Sequence, residues 1–126
     1  MNCRIVVVEN FRREAKRLVK KFASLKDELF QPEKEILRNP RYGTPLDNDI
    51  YKIRLAVKSK GSGKSGGMRV ITRAVEIQMQ VIGESRQTDV YRLSIYDKAE
   101  QADISDKLKL KDLINDLIIE FEDKSR

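Results

Sequence analysis

The sequence predicts an α+β domain: a small antiparallel-dominated sheet packed by two N-terminal helices, plus a C-terminal helix. Three observations predict it. A β-branched run, Ile5-Val6-Val7-Val8, precedes two amphipathic segments rich in charge. Three strand candidates then follow one another between Ile50 and Asp97, separated by glycine-bearing connections. A last apolar stripe at helical spacing begins after Ser105. Consecutive strands joined by turn-rich links make an antiparallel meander most simply, and the first strand must then join its edge or its middle. Helices cover one face of such a sheet. A chain of 126 residues supports one core, so the prediction is a single domain over 1–126.

The elements follow in order. Ile5 to Val8 is β-branched throughout and short, which reads as a strand buried on both faces. Asn10 is placed to cap the next segment. There Phe11, Ala15, Leu18, Val19 and Phe22 recur at helical spacing, and Arg12, Arg13, Lys16, Arg17, Lys20 and Lys21 form a basic outer face, read first as solvation, with anchoring to phosphate as the alternative. Ser24 and Asp27 resemble a capping box opening a second helix with an inward stripe of Leu25, Leu29, Ile36 and Leu37. Pro32 should kink or divide that helix near Phe30–Gln31, and Asn39-Pro40 should stop it. Arg41 to Asp49, with Gly43, Pro45 and Asn48, reads as a loop.

From Ile50 the period changes to two. Tyr51, Ile53, Leu55 and Val57 alternate with Lys52, Arg54, Ala56 and Lys58, which gives a strand with one apolar and one cationic face. Tyr51 belongs to the core side. Met68 to Ile82 is a second long strand, rich in Val, Ile and Thr, with Met68 and Met79 as core or strand residues. Its alternation changes phase near Ala74, as a bulge or bend would produce. Gly83 to Gln87 is a turn, and Val90 to Asp97 a third strand, with Arg92, Ser94 and Tyr96 sharing one face. Ser105 can cap a final helix whose stripe is Leu110, Leu113, Ile114, Leu117, Ile118 and Phe121.

Charge narrows the function. Between Ile50 and Val75 stand seven cations (Lys52, Arg54, Lys58, Lys60, Lys64, Arg69 and Arg73) and no acid, while the other 19 of the 26 cations face all 20 acids elsewhere. The net +6 is therefore local, which favours an anionic partner at that place. The lone cysteine, Cys3, excludes an intramolecular disulfide, fits a reducing compartment, and reads as a packed thiol. The absence of histidine removes Ser-His and Cys-His triads, the usual zinc sets and the commonest general base. No apolar run approaches the roughly 20 residues of a membrane span, so the expectation is a cytoplasmic protein with no membrane, metal or cofactor requirement.

Ser59-Lys60-Gly61-Ser62-Gly63-Lys64-Ser65-Gly66-Gly67 is a basic connection longer than a hairpin needs. Its Gly63-Lys64-Ser65 is not a P-loop. The pattern requires a glycine where Lys58 stands, and a helix where a β-rich segment follows. Two readings stay open: a long hairpin connection kept soluble by its lysines, or, as its length favours, a loop whose glycines let the backbone approach a phosphodiester while Lys60 and Lys64 supply charge.

Tyr51-Lys52-Ile53-Arg54-Leu55, then Gly63-Lys64-Ser65-Gly66-Gly67-Met68-Arg69-Val70-Ile71, then Tyr91-Arg92-Leu93-Ser94-Ile95-Tyr96-Asp97-Lys98 resemble the RelE/ParE toxin superfamily of type II toxin–antitoxin systems. The likeness is greatest to the RelE-like or HigB-like subgroup with a lysine- and glycine-rich loop. Asn39-Pro40-Arg41-Tyr42-Gly43-Thr44-Pro45-Leu46 fits as well, so the resemblance spans nearly the whole chain. It implies a RelE-like fold and a toxin held by a cognate antitoxin protein. RelE-type members cut ribosome-bound mRNA, whereas ParE-type members inhibit DNA gyrase; a plain nucleic-acid-binding module is a third option. On the RelE pattern Lys52, Arg54 and Arg69 fall on catalytic cationic positions. That pattern ends with an arginine and a tyrosine. Here Lys98 stands near the arginine's place, and no tyrosine follows Tyr96, which is the candidate substitute.

The expected catalytic set is therefore Lys52, Arg54, Arg69, Lys98 and Tyr96, with Lys58, Lys60, Lys64, Arg73 and Arg92 as RNA- or phosphate-binding residues. RNA places a 2′-hydroxyl beside each phosphate. Lys52 or Lys98 would assist proton transfer, and the arginines would grip the phosphate bidentately.

Overall fold

The computed structural model describes residues 2–60, 67–78 and 86–99. The expected helix over 105–121, Met79 and Lys64 lie outside them. Within them the chain is α+β. Strand β1 (Asn2–Val7) leads to helix α1 (Glu9–Lys21), then α2 (Leu25–Glu28) and α3 (Phe30–Arg38). Strands β2 (Thr44–Asp47) and β3 (Ile50–Leu55), a 3₁₀ turn (Lys58–Lys60), β4 (Met68–Gln78) and β5 (Arg86–Asp97) follow. The five strands form one mixed sheet in the order β1-β5-β4-β3-β2. β2, β3, β4 and β5 pair antiparallel in succession, and β1 adds at the edge, parallel to β5.

Alternation sorts the strand residues onto two faces. Ile53, Leu55, Met68, Val70, Val90 and Ile95 meet Phe11, Leu18, Leu25 and Ile36 of the helices in the larger core cluster. Burying each large apolar side chain contributes about 1.5–3 kcal/mol. The opposite face carries a smaller cluster of Ile50, Ile71, Leu93 and Tyr96.

Several expectations are corrected. Ile5 to Val8 is only half-buried, because β1 takes the edge of the sheet instead of its middle. Asn10 lies inside α1 and caps nothing: the N-cap is Val8, with no side-chain bond. Ser24 does hold the N-cap position of α2 but makes no cap bond. Leu37 faces outward, 53% exposed, whereas Leu25 and Ile36 are buried. Residues 44–47, read as loop, form a short edge strand in which Pro45 is tolerated. Pro32 does divide the helical segment: α2 and α3 meet at Leu29, which leaves the proline in the first turn of α3, where its missing N–H costs no helical bond.

The irregularity expected in β4 near Ala74 is absent, the ladder running regularly through Ala74–Val90; a bulge lies instead in β5. Ile71 pairs with Ser94 and Thr72 with Arg92, so Leu93 is the extra residue of a bulge, while β3 and β4 pair without interruption from Leu55–Met68 to Ile50–Arg73. Beyond the bulge the alternation is shifted. Arg92 therefore points to the helices and Tyr96 to the other face, and the two do not share a side as the unbroken period had predicted.

Candidate functional site

β3, β4 and β5 end together where the glycine-rich connection begins. In their last rows Arg54 faces Arg69 directly across β3–β4, and Arg69 faces Tyr96 directly across β4–β5. Regular pairing forces this: the three residues share one row of the sheet, on the face away from the helices. Two cations facing each other across a ladder destabilise a sheet unless something compensates.

The three differ in exposure. Arg54 is exposed and donates from Nη1 to Thr44 Oγ1 on β2 at 3.2 Å. Arg69 is only 1% exposed and donates from Nη1 to the Met68 carbonyl at 3.1 Å. Tyr96 is 2% exposed and packs beside Ile71. Lys52 occupies the same face of β3 one row inward, opposite Ile71 on β4 and Thr44 on β2, and is buried as well. Lys98 follows β5 directly and is exposed; its N–H donates to the Gly67 carbonyl at 3.3 Å. Register thus gathers Lys52, Arg54, Arg69 and Tyr96 on one patch, with Lys98 at its border.

The binding candidates scatter more widely. Lys58 is exposed in the 3₁₀ turn after β3, which also contains Lys60. Arg73 is half-buried on the same face as the row but four residues along β4, opposite Ile50 and Tyr91. Arg92 stands apart. It bonds Glu33 of α3 at 2.9 Å and lies 4.8 Å from the Phe11 ring centre, so its charge is spent inside the helix–sheet interface. It is a packing residue, which the sequence pattern had grouped with the phosphate binders.

Sequence reasoning also missed polar groups built into the sheet away from the row and beside it. Arg4 of β1 donates to both Asp89 oxygens, at 2.8 and 3.2 Å, and Gln87 adds a third bond at 2.7 Å. Burial pushes the Asp89 carboxyl up, but those bonds and the Arg4 charge outweigh it and hold it below the usual carboxylate range. Asp97, also buried, pairs with Met68 beside the row and accepts the Ala99 N–H at 2.9 Å. Gly43 passes so close to β3 that a Cβ there would lie 2.9 Å from the Lys52 carbonyl. Only Gly43 carried a signal, as one of the turn-forming residues of the 41–49 stretch.

Among the described residues no group of three or more Cys, Asp or Glu side chains could hold a metal ion. No helix among them is long and apolar enough to cross a membrane. What the patch offers an anion from solvent is the exposed Arg54 guanidinium, with exposed Lys98 at its border; Lys52, Arg69 and Tyr96 are buried. Comparison of the chain with models of protein families, with curated proteins and with solved structures found no match.

Proposed function

We propose that this chain is a RelE/ParE-type toxin with a RelE-like fold that cuts ribosome-bound mRNA as an endoribonuclease and is neutralised by a cognate antitoxin protein. The observation that carries the reading is the Arg54–Arg69–Tyr96 row. The row brings guanidiniums of two neighbouring strands to one level of the sheet, an arrangement suited to the oxygens of a phosphodiester. Arg54, exposed, makes the first contact; Arg69 backs it from the neighbouring strand. Cleavage then needs the 2′-hydroxyl deprotonated, charge on the phosphate neutralised and the 5′-oxygen protonated. The arginines stabilise the charge developing on phosphate. Lys52 or Lys98 assists proton transfer, and Tyr96 is the donor for the leaving oxygen. In this chain without histidine, no commoner base competes for the role.

Purified protein incubated with translating ribosomes, with mRNA ends mapped, tests this. Arg54→Ala and Arg69→Ala each lower the cutting rate about 10²–10³-fold, the usual loss for one charge-stabilising donor. Cutting that survives both substitutions would falsify the assignment. Arg54→Ala is the cleaner variant, since its side chain is exposed.

The burial of Lys52, Arg69 and Tyr96 supports a second reading, a non-catalytic inhibitor of DNA gyrase. A cleaving site must admit a phosphodiester to those groups, whereas a surface inhibitor need not. A supercoiling assay run beside the mRNA assay separates the two: gyrase inhibition without cut mRNA selects the second.

A further inference from the structure

The connection from β3 to β4 starts on a stem fastened to α2. Val57, 1% exposed, belongs to the larger core cluster together with Leu25 at the start of α2. The Lys58 N–H donates to both Glu28 carboxylate oxygens, at 2.9 and 3.3 Å. The Ser59 N–H donates to Ser24 Oγ at 3.0 Å, the two serine hydroxyls stand 2.7 Å apart, and the Ser24 N–H reaches Ser59 Oγ at 3.4 Å. Both side chains of α2 thus reach across 30 or more residues of sequence to consecutive amides of the 3₁₀ turn.

This use of Ser24 and Glu28 is not what stabilises α2 most directly. Ser24 sits at the N-cap position, yet its hydroxyl bonds Ser59 and not its own helix. A three-residue 3₁₀ turn has little stability of its own, and ordering the start of a long connection costs conformational entropy. Two side chains diverted to that task imply that the position of the turn matters. The turn lies at the Arg54 end of β3 and carries Lys58 on its exposed side.

We infer that Ser24 and Glu28 are positioning residues for RNA: they clasp the 3₁₀ turn so that Lys58 engages the same phosphate backbone as Arg54 and Arg69. The inference rests on the RNA reading proposed above. Amide exchange of the full chain, followed by NMR, tests the clasp itself. In the wild type the Lys58 and Ser59 amides are protected. Glu28→Ala speeds exchange at Lys58, and Ser24→Ala at Ser59, by about tenfold or more, while the core amide of Val70 is unchanged. Glu28→Gln, whose amide oxygen still accepts, restores protection at Lys58, and Ser24→Thr does so at Ser59. In the mRNA-cutting assay the two alanine variants raise KM about three- to tenfold with kcat within about twofold, and the conservative variants return KM to the wild-type value.

Rapid exchange of both amides in the wild type overturns the inference. So does an unchanged KM in alanine variants whose exchange has risen; the RNA reading then still stands if Arg54→Ala abolishes cutting. A wild-type chain that cuts no RNA removes the reading, and this role of the clasp falls with it.

Discussion

Glu14 brings a charge into a half-buried place between α1 and the bulge of β5. One of its oxygens accepts from Asn10 Nδ2 at 2.8 Å, Ser94 Oγ at 2.9 Å and the Ile95 N–H at 3.4 Å, and Asn10 also donates to the Leu93 carbonyl at 3.0 Å. A bulge leaves backbone groups without ladder partners, and α1 supplies them here. That explains why Asn10 and Ser24 mislead as caps: both side chains answer to tertiary partners that no local pattern reveals. Burial raises the Glu14 carboxyl above the usual range, although Ser94, Ile95, Asn10 and the Arg17 charge pull it down. The folded state therefore binds this proton more tightly than the unfolded chain. Its contribution to stability falls as pH rises from the ordinary glutamate value through the raised folded one, and the cost is fully present above that. Glu14→Gln keeps an accepting oxygen and loses the charge. In urea titrations it flattens this part of the pH profile and equals or exceeds wild-type stability at pH 7. Glu14→Ala strands the Ser94 and Ile95 donors and destabilises by about 1–3 kcal/mol. At Arg92 the expected outcome is structural: Arg92→Ala loses the Glu33 bond and the Phe11 contact, lowers stability by about 1–3 kcal/mol, and leaves RNA affinity of the folded fraction unchanged.

At the scale of elements, the long strands were legible because their residues alternate strongly. β3 and β4 fall where period two and β-branched residues placed them, as does the helical division at Pro32; β5 begins at Arg86, so Arg86 and Gln87, expected in a turn, are paired strand residues. β2 was not legible. Four residues of Thr-Pro-Leu-Asp carry no alternation, and the strand exists because it pairs with β3. Its entry depends on Gly43, whose φ of 114° and tight approach to Lys52 leave no room for a side chain. Gly43→Ala forces a strained φ and pushes the Cβ against the Lys52 carbonyl. The expected cost is about 1–3 kcal/mol of stability, read from the urea midpoint. A midpoint equal to wild type would show that β2 moves freely and that the Lys52 row does not depend on it. The bulge was not legible: the phase change read near Ala74 belongs to β4, whose pairing is regular there, and an extra residue in β5 leaves the alternation of β4 unchanged.

At the scale of the molecule, two groups of basic side chains among the described residues lie on opposite sides of the sheet. Arg54 lies on the sheet face away from the helices, whereas Arg13, Lys16, Arg17, Lys20 and Lys21 line an open concavity of about 520 Å³ on α1, which packs against β5 from the other side. Of the seven cations between Ile50 and Val75, Lys52 and Arg69 are buried while Arg54 and Lys58 are exposed, a division the sequence alone does not tell. Packed layers lie roughly 10 Å apart and a helix adds roughly another 5 Å to its outer face. Physiological salt screens charge over about 8 Å, so the two surfaces act separately. Binding of a short single-stranded RNA should therefore follow the sheet face alone. Its affinity falls with salt by a log–log slope of about −0.7 for each phosphate engaged. Arg54→Ala weakens binding and makes that slope shallower by about one phosphate. Lys16→Gln combined with Lys20→Gln leaves both affinity and slope within about twofold and half a phosphate, because those lysines serve solvation. The measurement is a salt titration of fluorescence anisotropy for the three proteins. A double variant that loses as much slope as Arg54→Ala would mean that RNA reaches around the edge of the sheet to α1, and the assignment of charge to separate surfaces would have to be abandoned.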